Sequence, residues 1–275
     1  MLLLIDAGNT RIKWALAADS APAGQWLASG AVSHADSTDL AAHWREATID
    51  AVLVSNVAGP AMHAALMAQL AALPARAARS PSIVWFASAA TLAGVINGYR
   101  SPASLGCDRF AALVGAWTLR PGRALIVATC GTATTIDALD AAGHFIGGMI
   151  LPGLGLMAAS LAQRAAQLAH TATPARPAAG ARPLFADNTQ DAIHSGCLAA
   201  QAGAIERAVT AHGGAQCLLS GGAAAWVAPY LPPAVTVTQV ENLVLLGLHA
   251  AALAAPVATS AIPTSTATTG AGRPC

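Results

Sequence analysis

The chain has 275 residues, 55% of them hydrophobic and 10% charged, with a formal net charge of +1. So apolar a sequence lies outside the disordered regime, and without a Lys/Arg stripe it has no means of binding nucleic acid by phosphate neutralisation. Five cysteines (Cys107, Cys130, Cys197, Cys217, Cys275) stand apart with no CxxC pairing; this argues against a disulfide framework or zinc site and fits a reduced, cytoplasmic compartment.

Residues 2–6 form an apolar run that ends in Asp6-Ala7-Gly8-Asn9-Thr10, which predicts a central strand entering a tight turn. The opening has no basic segment and reaches a carboxylate at its sixth residue, so it reads as a strand rather than a signal peptide. The extended pattern resumes over 11–17, giving a hairpin across 2–18, and 26–33 fits a third strand. A helix over 38–47, a buried strand at 51–55, a helix over 59–72 and a strand at 82–86 follow, and 106–117 is helical in pattern.

The same grammar then restarts. Residues 124–128 read as a buried strand running into Thr129-Cys-Gly131-Thr132-Ala-Thr-Thr135, with strands expected at 136–139 and 144–150. Helices are expected over 153–168 and 189–211, a loop over 171–184, strands at 216–220 and 235–239, a short helix over 222–230 and a last helix from 242 to about 255. The apolar stretches 149–162 and 243–258 are shorter than the roughly 20 residues a membrane span needs, so no membrane association is expected. A strand, a polar turn and a hairpin beginning near residue 2 and again near 124 suggest two similar α/β lobes. We place them at 1–118 and 119–255, with a Ser/Thr/Pro/Gly tail at 256–275 expected to be disordered.

Three segments carry residues suited to chemistry. In the first turn, successive backbone N–H groups, Asn9 and Thr10 can meet an anion, Gly8 permits close approach, Lys13 adds a cation, and Asp6 can hold a hydrated Mg²⁺. The same residues would also make an ordinary stabilised hairpin. Thr129–Thr135 offers hydroxyls and amides to a phosphate chain, although threonines also simply favour strands. Gly106-Cys107-Asp108-Arg109 opens a helix, where Arg109 can clamp an anion and Asp108 can accept a proton from a hydroxyl nucleophile. Asp108 would equally serve as a helix cap.

Taken in order, Asp6-Ala-Gly-Asn-Thr10, Leu105-Gly-Cys-Asp-Arg109, Gly131-Thr-Ala-Thr-Thr-Ile-Asp137, Asn188-Thr189, Ser220-Gly-Gly222 and Glu241-Asn-Leu243 resemble the type III pantothenate kinases, some first described as Bvg accessory factors. The match spans about residues 2–250. The resemblance implies an actin-like (ribonuclease H-like) fold of two lobes with a nucleotide cleft between them. It implies phosphorylation of pantothenate by ATP at the start of coenzyme A biosynthesis. Rival readings are an actin-like kinase for another small hydroxyl substrate and a non-catalytic nucleotide-binding accessory protein.

Residue by residue, the resemblance assigns Asp6, Ala7, Gly8, Asn9, Thr10, Arg11, Ile12 and Lys13 to ATP phosphates and Mg²⁺, with Asp6 as the metal contact, and Thr132 to ATP. Tyr99, Gly106, Cys107, Asp108 and Arg109 would line the pantothenate pocket, with Asp108 as general base and Thr189 helping to hold pantothenate. It also implies a homodimer and a monovalent cation, K⁺ or NH₄⁺. Two positions depart from the family pattern. Thr129 stands where the family carries Asp, so the carboxylate ligand for that cation is missing unless carbonyls or Asp137 substitute; and Ala223 follows Ser220-Gly-Gly222 where an acidic residue is common.

Overall fold

The computed structural model describes residues 1–73, 80–164 and 183–254. The tail from 256 and nearly all of the loop at 171–184 fall outside them. The described residues pack as two compact units, one of Met1–Leu119 with Leu243–Ala254, the other Arg120–Asn242.

In the first unit five strands, β1 (Leu2–Ala7), β2 (Arg11–Ala17), β3 (Ala28–Ser33), β4 (Ala51–Asn56) and β5 (Ser82–Trp85), form a sheet of order β3-β2-β1-β4-β5. β1 is antiparallel to β2 and parallel to β4. Side chains alternate between the faces of a strand, and here both faces of β1 are covered. Leu3, Ile5, Ile12 and Trp14 pack with Leu40 and Trp44 of a 3₁₀ segment (Ser37–Trp44) and with Leu66 and Leu70 of α1 (Pro60–Ala71). The sequence predicts an α-helix over 38–47; Asp39, at φ −125°, breaks it there. A short hairpin, β6 (Thr91–Leu92) with β7 (Val95–Asn97), precedes α2 (Cys107–Leu119) and was not legible as strand.

The last helix, α6 (Leu243–Ala254), belongs by packing to this first unit, whereas the sequence reading grouped residues 119–255 together. Its leucines 243, 245, 246 and 248 are all buried, each stabilising the packed state by about 1.5–3 kcal/mol. α6 and α2 approach so closely that a Cβ on Gly247 would lie 1.7 Å from the Ala111 carbonyl oxygen. Only glycine fits that crossing.

The second unit contains β8 (Leu125–Cys130), β9 (Ala133–Leu139), β10 (His144–Pro152), β11 (Gln216–Ser220) and β12 (Val237–Gln239), in the order β12-β11-β8-β9-β10. β8 is antiparallel to β9 and parallel to β11. Read from the hairpin end, β10-β9-β8-β11-β12 repeats β3-β2-β1-β4-β5, so the echo in the sequence is an echo of topology. Ile126, Ala128, Cys130, Ile136, Cys217 and Leu219 pack with Leu198, Ala202 and Ile205 of α4 (Thr189–Ala211). α3 (Leu154–Arg164), the short α5 (Ala224–Val227) and a 3₁₀ turn (Ala228–Tyr230) complete the described helices of the unit. No helix among the described residues is long and apolar enough to cross a membrane.

Candidate active site

Asp6 stands on the face of β1 opposite Leu3, Ile5 and Ala7, with Lys13 beside it across β2 and Ser55 beside it across β4. Beyond it the chain turns tightly. Gly8 N–H donates to the Arg11 carbonyl at 3.1 Å, and Asn9, Thr10 and Arg11 are exposed. The end of β4 is tied to the same place, because Val57 N–H donates to the Ala7 carbonyl at 3.0 Å.

Helix α2 begins here for a physical reason. Buried Cys107 places its Sγ 3.5 Å from Ser55 Oγ and 3.7 Å from the Asn56 carbonyl, anchoring the first turn on the end of β4. Asp108 follows, its Oδ1 accepting from Arg109 N–H at 2.7 Å. The carboxylate lies back over Gly106, where a Cβ would come within 2.9 Å of Asp108 Oδ1. Arg109 is 7% exposed, and its Nη1 donates to the Tyr99 hydroxyl at 2.8 Å. Tyr99 is itself set by Asn97, a residue the sequence reading passed over. The Asn97 side chain accepts from Tyr99 N–H at 3.1 Å and donates to the carbonyls of Ala89 (3.1 Å) and Pro102 (3.0 Å). A buried Asn near a short hairpin leaves no mark in sequence beyond its identity.

The electrostatics follow from two carboxylates held close together. Desolvation pushes the Asp6 carboxyl up to about 7, helped by the charge of Asp108 and opposed by Lys13. Burial also raises Asp108, against the pull of the Arg109 N–H and guanidinium. A carboxylate this poorly compensated, at the mouth of an N–H-rich turn, has the chemistry of a divalent-cation contact. These residues fit Mg²⁺ brought in with a nucleotide.

Within the second unit, Thr132 lies at the tip of the turn between β8 and β9 and is exposed, and Gly131 N–H donates to the Ala133 carbonyl at 3.0 Å. Two further turns close on it. Gly153 N–H donates to the Thr132 carbonyl at 2.9 Å, and Ala223 N–H to the Cys130 carbonyl at 3.0 Å. Thr189 is exposed in the first turn of α4, which Asn188 caps by accepting from Asp191 N–H at 3.0 Å. Thr129 is paired with Thr135 of β9 and with Ser220 of β11, so three neutral hydroxyl residues share that row. Asp137 is on the same face, two places along β9, 1% exposed and already engaged.

The comparisons with known proteins bear on this arrangement. Residues 2–211 match the profile of the type III pantothenate kinases. The type III pantothenate kinase of Janthinobacterium sp. (strain Marseille) is 53% identical over 265 residues, covering 92% of this chain and 98% of that one. The chain belongs to the type III pantothenate kinase family. The family enzyme of Herminiimonas arsenicoxydans is 52% identical over 262 residues, with the same coverage of each chain. At the level of fold, a Sinorhizobium meliloti protein assigned as a 2-dehydro-3-deoxygalactonokinase superposes with a TM-score of 0.57, at 16% identity, over 92% of this chain and 98% of that one. The two sheets with repeated strand order are those of the actin-like kinase fold. The row Ser220–Thr129–Thr135 does not fit the carboxylate-held monovalent cation associated with type III pantothenate kinases, since its hydroxyls are neutral.

Proposed function

We propose that this chain catalyses ATP-dependent phosphorylation of pantothenate to 4'-phosphopantothenate, the opening step of coenzyme A biosynthesis. The observation that carries the reading is the placement of Asp108 and Asp6 close enough to perturb each other at the end of one sheet, with an amide-rich turn between β1 and β2. A base and a phosphate-binding turn are then side by side in a single unit.

In this reading the turn Ala7–Ile12 holds the ATP phosphates through the Asn9 N–H, the side chains of Asn9, Thr10 and Arg11, and Lys13. Asp6 would hold the Mg²⁺ that arrives with ATP, and the bound ion would supply charge neutralisation for phosphoryl transfer. Tyr99, Gly106, Cys107 and Arg109 line the pantothenate pocket, and Arg109, fixed by Tyr99, supplies the guanidinium for the pantothenate carboxylate. The pantothenate hydroxyl oxygen forms the new bond to the γ-phosphorus, its proton passes to Asp108, and the β,γ-bridging bond breaks to release ADP. The raised affinity of Asp108 for a proton strengthens it as acceptor. No step runs through a monovalent cation.

The reaction test is transfer of phosphate from ATP to labelled pantothenate with Mg²⁺ present, run beside a panel of sugars. Labelled phosphopantothenate is the expected product. Turnover only with a sugar, or nucleotide binding with no product, would discard the reading.

The same proposal includes a cytoplasmic homodimer. In its support, Ile146 (59% exposed) and Ile150 (62%) of β10, Leu156 of α3, and Phe185 (89%), four residues before Thr189, leave apolar area that a second copy would cover. Light scattering should give twice the mass of the 27.3 kDa chain; a monomer at micromolar concentration would remove this part of the proposal.

A further inference from the structure

The turn from Asp6 to Lys13 is held from outside by a residue that none of the sequence motifs contains. His34 follows β3, and β3 runs beside β2 with Ser33 opposite Arg11, so the sheet register delivers His34 to the edge of the turn. Its Nε2 lies 2.8 Å from the Gly8 carbonyl oxygen. A carbonyl can only accept, so Nε2 carries the proton and the imidazole is the donor. The His34 backbone is fixed in turn: Ser37 Oγ donates to the His34 carbonyl at 2.7 Å, and Ser33 Oγ donates to Asp36 Oδ2 at 2.6 Å.

The consequence follows from peptide geometry. In a trans peptide the C=O of one residue and the N–H of the next point in opposite directions, and the described chain has no cis peptide bond. A Gly8 carbonyl drawn toward His34 therefore aims the Asn9 N–H away from it, at the open side of the turn. Gly8 needs such a restraint, because without a Cβ its peptide planes rotate at little steric cost.

We propose that His34 is a positioning residue: by donating to the Gly8 carbonyl it fixes the Gly8–Asn9 peptide so that the Asn9 N–H is presented to the nucleotide phosphates. The proposal rests on the reading of this turn as the phosphate site, and it assigns His34 no contact with either substrate. Its effect is on nucleotide affinity, since the N–H would otherwise have to be ordered when ATP binds.

The test uses two variants of the full chain. His34→Phe keeps a ring of similar size but cannot donate; His34→Gln restores an N–H donor at similar reach. ATP affinity is read by calorimetric titration, which needs no turnover, and KM for each substrate from initial rates. For His34→Phe we expect Kd and KM for ATP to rise about three- to tenfold, the loss of one hydrogen bond, with KM for pantothenate and kcat each changed less than about twofold. For His34→Gln we expect ATP affinity within about twofold of wild type. Wild-type ATP affinity in His34→Phe overturns the proposal. Equal loss in both variants also overturns it, because a restored side-chain donor would then recover none of the affinity. A wild-type chain that binds ATP but makes no phosphopantothenate would remove the pantothenate reading and leave the role of His34 to be judged on Kd alone.

Discussion

The two units repeat one strand order, yet the turns that leave their first strands differ in chemistry. At the end of β1 stand Asp6 and Lys13, with Asp108 and Arg109 brought alongside by α2. At the end of β8 the corresponding strand presents Thr129, Thr132 and Thr135, closed over by the turns at Gly153 and Ala223. The difference teaches that a repeated topology reproduces a backbone feature, a polar turn rich in N–H groups, and leaves its charge to be set separately. One turn can take part in proton and phosphoryl chemistry. The other can offer only hydrogen bonds.

The largest expected effect tests that division. Asp108→Asn keeps the shape of the side chain and its hydrogen bond from Arg109 N–H, and removes the proton acceptor. It should fold normally and lose about 10²-fold or more in kcat. Thr132→Ala, in the neutral turn, should lose about tenfold or less, the worth of one hydrogen bond. Steady-state rates on both variants check it, and near wild-type kcat in Asp108→Asn would erase the contrast between the turns.

A second way to sharpen the comparison uses stability. The Asp6 carboxyl titrates near 7 in the folded chain and near 3.9 in an unfolded one. Between those values the folded state binds more protons, so stability falls as pH rises through the window and the whole penalty is present above about pH 7. Asp6→Asn removes it. At pH 8 the variant should melt above the wild type, by about 3 °C or more, and the gap should close as pH falls toward 4. A variant that melts below the wild type at pH 8 would mean that the Asp6 charge is compensated in the free protein.

Much of this was legible in the sequence. The strand 216–220 and the helix 189–211 stand where periodicity puts them, because each is bounded by strong signals, the latter by the Asn188 cap. The paired β–turn–β openings were readable because buried apolar runs ending in Gly-Thr or Gly-Asn-Thr have few other uses. What the sequence hid is long-range. Nothing in the apolar run 243–254 says which sheet it covers, because a helix buried almost all round carries no directional stripe. His34 and Asn97 were passed over for a similar reason: each acts through one or two backbone carbonyls brought close by the fold, and such bonds impose no spacing on the chain.

The smallest expected effect concerns position 129. An aspartate there would place a full negative charge between Ser220 of β11 and Thr135 of β9; threonine supplies a hydroxyl dipole instead, and buried Asp137 is two residues along and engaged. Charge complementarity is the main attraction a protein offers a weakly bound cation, so the row as it stands has little hold on K⁺ or NH₄⁺. We expect phosphorylation rates in Tris buffer to change less than about twofold when 100 mM KCl replaces an equal concentration of choline chloride, a comparison that holds ionic strength fixed. Thr129→Asp should make the rate K⁺-dependent, because it restores the missing charge at the same register position. Strong K⁺ activation of the wild type would mean that the neutral turn binds a cation through carbonyl oxygens, and the two turns would then differ less in charge than their side chains imply.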